Sequence, residues 1–187
     1  MAGRIIALVG PSGAGKDTLL AGLIAARPGI HRARRVISRP ADDASEPFES
    51  VTPAEFAALR AAGAFALHWS AHGLSYGIRT AEFAPVAQGR TVIFNGARRA
   101  LTEAQTLFPA LEVIEITVDP AVLAHRLAAR GRESAEEIAR RLARADLALP
   151  AGIARRSLPN DRTKEEGVAR LIAAIDAPLP ALTGAKE

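Results

Sequence analysis

The chain has no cysteine among its 187 residues. That excludes disulfides, thiolate catalysis and zinc sites built on cysteine, and it is compatible with a reducing compartment. Aromatic residues are scarce, at 4% with one tryptophan and one tyrosine. Alanine, leucine, valine and isoleucine must therefore fill the core, and base-stacking platforms for nucleic acid are few. Lysine is rare too: the 24 basic residues include only Lys16, Lys164 and Lys186. The arginine excess suits phosphate oxygens, whether of nucleic acid or of a small phosphorylated substrate, because the planar guanidinium grips two oxygens at once. A GC-rich genome would produce the same bias. The apolar run near the N-terminus, "GRIIALVG", is too short to cross a bilayer. It lacks the long apolar core and small-residue cleavage pattern of a leader. A soluble cytoplasmic protein is expected.

Hydrophobic residues make up 49% of the chain and the formal net charge is +4. A chain of this size can bury a proper core and is expected to form one domain over 1–176, with a loose tail at 177–187. Strand-like and helix-like runs alternate. Arg4–Val9, "RRVIS", "TVIFN" and "LEVIEITV" read as short buried strands, and "IARRSLP" as the last one. Lys16–Ala26, Ala97–Leu107, Pro120–Arg130, Ser134–Leu147 and Lys164–Ile175 read as helices. Another helix is expected over Pro53–Ala62, with Thr52 as its N-cap, Pro53 first, Glu55 three after the cap and Gly63 ending it. Ser134 and Glu137 form a second capping signal. "ADDASEPFES" reads as a polar loop. Phe65, Leu67 and Trp69 alternate onto one face of a strand, and "AHG" reads as the turn of a hairpin returning through "LSYGI". Strands separated by helices argue for an α/β fold with a parallel sheet. Two insertions interrupt it, a strand-rich one near 38–78 and an arginine-rich helical one near 130–149.

The most specific motif is Gly10-Pro11-Ser12-Gly13-Ala14-Gly15-Lys16, between the first strand and the first helix. Glycines let consecutive main-chain N–H groups turn inward onto phosphate oxygens, and the helix N-terminus adds its positive end. Lys16 reaches the β- and γ-phosphates of a nucleoside triphosphate. Asp17 stands where a Mg2+-binding hydroxyl is usual. A carboxylate is also a hard oxygen ligand, acting directly or through water. Thr18 is a candidate to supply the hydroxyl one position on. Asn95 and Arg98, at the C-terminal end of a parallel strand, lie where open α/β sheets bind ligands, and are candidates for sugar or 5-phosphate contacts. The four histidines show no metal-ligand spacing; His68 and His72 are more simply structural.

With the phosphate loop come "VISRP", "VTPAEFAALRAAGAFALHWSAHGLSYGI", "RLAARGRESAEEIARRLARA" and "LPND". In this order they resemble the guanylate kinase family over nearly the whole chain. The resemblance implies a three-layer P-loop NTPase with a central parallel sheet, a small acceptor-binding insertion and a helical lid. It places Arg39, and Tyr76 unless that ring only packs, at the acceptor phosphate. Arg126 and Arg130 fall on the ATP side, and Arg141 over the transferring phosphoryl. Asn160 and Asp161 either contact adenine or make the turn before the last helix. The lid arginines can equally form a solvated face.

The departures concern guanine. His68 and Ser70 stand where a guanine-reading glutamate is expected, Asn95 replaces a later aspartate, and Phe48 replaces a tyrosine. A site built for a base fails when its polar partners are missing. "GPSGAGKD", "SRPAD", "NGARRAL" and "RGRES" instead resemble the ribose 1,5-bisphosphate phosphokinase family, in which the aspartate after the lysine belongs to a working site. The resemblance implies transfer of the γ-phosphoryl of ATP, with Mg2+, to ribose 1,5-bisphosphate in phosphonate catabolism. The implied partners are small molecules rather than nucleic acid or membrane, for a monomer or homodimer. A nucleoside-monophosphate kinase of altered base preference and a non-catalytic binding module are the alternatives. The latter usually lacks the loop lysine and lid arginines, which are present here.

Overall fold

In the computed structural model the described residues are 3–40, 47–129, 136, 138–139, 142–143 and 149–177. The segment β1 (Ile5–Val9) is at the centre of a five-stranded sheet. Its neighbours are β7 (Val92–Asn95) and β8 (Glu112–Thr117), with β2 (His31–Arg32) and β9 (Arg156–Pro159) at the edges. Every pairing is parallel. The near-continuous apolar runs now have a cause, because a parallel sheet is covered on both faces. Ile6, Leu8, Ile93, Ile114 and Ile116 pack on one side with Leu19, Leu20 and Leu23 of α1 (Lys16–Ala26) and with Leu171 and Ile175 of the last helix, Lys164–Asp176. Ala7, Val9, Val92, Phe94 and Val113 pack on the other with Leu101 and Ala104. Period-two alternation thus splits each strand between two cores.

A second sheet is built from residues 35–79. Its order is β4 (Phe48–Ser50), β3 (Arg35–Ile37), β6 (Leu74–Arg79), β5 (Phe65–Ala71). The strand in "RRVIS" therefore belongs here rather than to the parallel sheet, whose edge is taken by His31–Arg32. Part of the expected polar loop is a strand: Phe48–Ser50 pairs in parallel with Arg35–Ile37. The hairpin turns through His72 and Gly73, at φ 53° and 75°, the positive pair that matches strand twist. A bulge between Phe65 and Leu67 changes the expected facing. Leu67 and Trp69 enter the main core, whereas Phe65 stacks on Phe56 at 4.8 Å. One extra residue is enough to reverse a strand's facing.

The helix α2 (Pro53–Ala61) has its full capping box, Thr52 and Glu55 each accepting from the other's main chain. Such a cap is worth about 1 kcal/mol. Its end is closed by Gly63 N donating to Arg60 O and Ala64 N to Leu59 O, the bond pair of a Schellman stop. The expected helix over 97–107 begins instead as a 3-10 turn at Arg98–Ala100, followed by α3 (Leu101–Leu107). A further 3-10 segment, Thr80–Gln88, bridges the sheets through Phe83. Then comes α4 (Pro120–Ala129). Arg130, Arg132, Ser134, Glu137, Arg140, Arg141 and Arg144 lie outside the described residues, as does the tail beyond 177. Ile138 and Leu142 are half-buried while Glu136, Ala139 and Ala143 are exposed, the facing expected of residues four apart on a helix. Among the described residues no helix is long and apolar enough to cross a membrane.

Candidate active site

The loop from Gly10 to Lys16 joins the C-terminal end of β1 to the first turn of α1. A side chain at Gly10 would put its Cβ 2.5 Å from Ile116 O, and the backbone there is at φ 149°. The loop can cross the end of β8 only as glycine. Gly15 caps α1 in the left-handed region at φ 87°. Ala14 is buried, and Pro11, Ser12 and Gly13 are half-buried. Lys16 Nζ donates to Gly10 O and Pro11 O, each at 2.9 Å, so its ammonium lies over its own loop. Thr18 is exposed on α1.

Beneath the loop sits Asn160, which is buried. Its Nδ2 donates to Ala14 O at 2.8 Å, and its carbonyl accepts from Arg126 Nη1 at 2.7 Å. Arg126 also donates to Arg162 O. Asp161 Oδ1 accepts from Asp119 N. The Asn160 side chain thus braces the loop, and Arg126 braces Asn160. Both are anchored through main-chain carbonyls, which no motif search records.

Asp17 is the other centre. Its Oδ1 accepts from Arg32 Nη2 at 3.0 Å and from Asn95 Nδ2 at 2.9 Å. Asn95 is buried, and its Oδ1 has no hydrogen-bond partner among the described residues. The amide orientation is fixed by chemistry, since a carboxylate accepts only from the NH2 end. Arg32 was not legible as a site residue. It lies on a two-residue edge strand whose pairing with β7 depends on the whole sheet. Arg98 Nη2 lies 3.4 Å from Glu115, and Arg155 Nε 2.8 Å from the same carboxylate. Glu115, buried on β8, was also missed, because it sits inside an apolar run.

In the second sheet the guanidinium of Arg39 lies over the Phe48 ring, 4.5 Å from its centroid. Arg39 lines a depression with Ser38, Pro40, Ser50, Thr52 and Glu55. Phenylalanine, at the position where the resemblance expects tyrosine, holds the arginine by its ring face. Tyr76 stacks on Trp69 at 5.6 Å, with Arg35 over its outer side at 5.3 Å. The Tyr76 ring thus lies between Trp69 and Arg35. His68 pairs across the hairpin with Gly77. Among the described residues no three His, Asp or Glu side chains cluster as a metal cage. One carboxylate beside a phosphate loop does fit Mg2+, which is usually held by one or two carboxylates and the phosphates of its ligand.

Parallel sheet, loop and second sheet define a P-loop fold of the guanylate kinase type. A guanylate kinase from Anaplasma phagocytophilum superposes with a TM-score of 0.69 at 18% identity, covering 93% of this chain and 85% of that one. A gluconokinase from Sinorhizobium meliloti gives 0.53 at 14% identity, over 93% and 91%. No family model matches the chain. Among curated proteins, ribose 1,5-bisphosphate phosphokinase from Ruegeria sp. is 51% identical over 151 residues, 80% of this chain and 79% of the relative. The enzyme of the same name from Agrobacterium fabrum is 49% identical over 148 residues, 78% and 81%. The chain belongs to the ribose 1,5-bisphosphate phosphokinase family.

Proposed function

We propose that the protein transfers the γ-phosphoryl of ATP to the 1-phosphate of ribose 1,5-bisphosphate, giving ADP and 5-phosphoribosyl 1-diphosphate. The step would serve phosphonate catabolism in the cytoplasm. The observation that carries this reading is the 51% identity to a ribose 1,5-bisphosphate phosphokinase over four fifths of both chains. The same position after the loop lysine carries Asp17, tied to Arg32 and Asn95 rather than left as a misplaced charge.

An oxygen of the 1-phosphate forms the new bond to the γ-phosphorus, and the bond from that phosphorus to the β–γ bridging oxygen breaks. The acceptor is ionised at neutral pH, so no strong base is needed, and catalysis is positioning with neutralisation of charge. Residues 10–16 would cradle the β- and γ-phosphates, with Lys16 moving from its loop carbonyls to the phosphoryl oxygens. Asn160 and Arg126 hold that cradle in shape. Mg2+ would be reached by Asp17, with Thr18 the nearby hydroxyl, and supplies positive charge against the triphosphate.

Arg39, held over Phe48, is assigned to the acceptor phosphate, and Tyr76 to the same phosphate unless its ring only packs. Asn95 Oδ1 can only accept a hydrogen bond, so it suits a sugar hydroxyl and not a phosphate. Arg98, anchored by Glu115, suits the 5-phosphate. Arg130 and Arg141, in the segment 130–149 read as a lid, are assigned to the ATP phosphates and the transferring group on the order of the family's motifs. Small molecules are the partners in this reading, for a monomer or homodimer.

The test is to incubate the purified protein with Mg-ATP and either ribose 1,5-bisphosphate or a panel of nucleoside monophosphates, and to measure ADP and diphosphate product. ADP formed with ribose 1,5-bisphosphate alone is expected. Turnover confined to a nucleoside monophosphate would favour the base-altered kinase, and binding without turnover the non-catalytic module.

A further inference from the structure

We infer that Arg32 is a positioning residue of the phosphate loop: by pairing with Asp17 it cancels the carboxylate in the first turn of α1, and so lets a triphosphate settle there. The inference rests on the reading of the loop as a nucleotide site.

Asp17 follows Lys16 directly, in a turn whose main-chain N–H groups attract anions. A carboxylate there repels the ligand the loop is shaped for, and it would offset much of what Lys16 contributes. Arg32 answers that charge at 3.0 Å. Its side chain is only 13% exposed and that of Asp17 27%, so solvent screens the pair weakly. The guanidinium is placed by backbone. His31 and Arg32 pair with Val92 and Ile93, and Ala33 N donates to Ile93 O. Asn95, two residues past Ile93 on the same strand, donates to the same oxygen of Asp17. Three elements, β2, β7 and α1, thus meet at one carboxylate oxygen. Among the described residues both bonds to Asp17 fall on Oδ1, which leaves Oδ2 as the atom for a cation or its water. A partly buried pair of this kind is weak evidence for stability in itself. Charge compensation explains why an arginine is brought to the ligand end of so short a strand.

The measurement is calorimetric binding of ATP to the full chain, in EDTA and with Mg2+, for wild type, Arg32→Ala, Arg32→Lys, Asp17→Asn and Arg32→Ala/Asp17→Asn. Thermal unfolding verifies that each variant is folded. In EDTA, Arg32→Ala should weaken ATP binding about tenfold, the effect of exposing one unpaired carboxylate. Arg32→Lys should recover most of it. The double variant should bind within about twofold of Asp17→Asn, since the charge to be cancelled is gone. With Mg2+ the loss in Arg32→Ala should shrink. Unchanged affinity in Arg32→Ala, or an equal loss in the double variant, overturns the inference. Wild type that binds no ATP under either condition overturns it together with the nucleotide reading. Binding that follows this pattern, in a protein inactive on ribose 1,5-bisphosphate, supports Arg32 and removes only the acceptor assignment.

Discussion

Within and beneath the phosphate loop the polar contacts run from side chain to main chain, while Asp17 just past it pairs with the side chains of Arg32 and Asn95. Lys16 reaches Gly10 O and Pro11 O, Asn160 reaches Ala14 O, and Arg126 reaches Asn160 O. Across the second sheet an ion pair and cation–ring contacts run between side chains that stay half exposed: Arg79 to Glu49, Arg35 over Tyr76, Arg39 over Phe48. A backbone cradle has one shape and serves any polyphosphate, because it reads oxygens rather than identity. A side-chain surface can be rewritten one residue at a time without refolding. The fold as a whole still superposes on a guanylate kinase, over 93% of this chain at 18% identity. In the proposed reading, the small sheet is the place where a family can choose a different acceptor.

The largest break in this comparison is Lys16→Ala. Removing the ammonium should lower turnover about a hundred- to a thousandfold with every acceptor, as loss of a charged group aimed at the transition state does. The fold should survive, because Lys16 sits outside both hydrophobic cores. Steady-state kinetics with unfolding curves alongside test both halves, and turnover within a factor of about three of wild type would remove Lys16 from the chemistry. Phe48→Leu acts on the other region and should be milder. It removes the ring under Arg39 but keeps an apolar side chain. Cation–π contacts of this kind are worth about 0.5–2 kcal/mol, so KM for the acceptor should rise a few-fold to about thirtyfold while KM for ATP stays put. Equal rises in both would mean that the two regions are not separable.

How much of this the sequence carried depends on the range of the interaction. The limits of α1 and the cap of α2 could be read directly, because glycine, proline, Thr52 and Glu55 act within a few residues of themselves. Gly10-to-Lys16 was legible for the same reason. Two of the three shortest strands were not. His31–Arg32 and Phe48–Ser50 carry charge and no periodicity, and they are strands only because β7 and β3 offer them an open edge. The bulge at Phe65 hid likewise, since alternation alone puts three rings or branched chains on one face. Arg32 and Glu115 were missed because each gains its meaning from a partner many residues away, Asp17 in one case and the pair Arg98 and Arg155 in the other. The arginine-rich segment stands apart: its pattern is plain in the sequence, while Arg130 and Arg141 lie outside the described residues.

The smallest effect sharpens the view of the second sheet as a surface held by adjustable charges. Arg79 donates to Glu49 through both Nε and Nη2, from β6 across β3 to β4. These bonds hold the Glu49 carboxyl below its ordinary value near 4.5, against a smaller opposing push from burial. The pair raises the affinity of the Arg79 guanidinium for its proton as well, which leaves it charged at any pH of interest. The sign follows. An acid whose folded value is depressed binds its proton more readily when unfolded, so its stabilisation is complete above about 4.5 and is lost as pH falls through the folded value. Both side chains are a third exposed, so the contribution is that of a surface pair, about 0.2–1 kcal/mol. Glu55 is also held low, by the Thr52 main chain, so acid sensitivity of the whole protein cannot isolate Glu49. The difference between wild type and Glu49→Gln does. Urea midpoints should differ at pH 7 and converge once Glu49 is protonated. A gap that stays constant into acid would mean that the side chain contributes by packing rather than by charge, and would make the small sheet as rigidly determined as the loop.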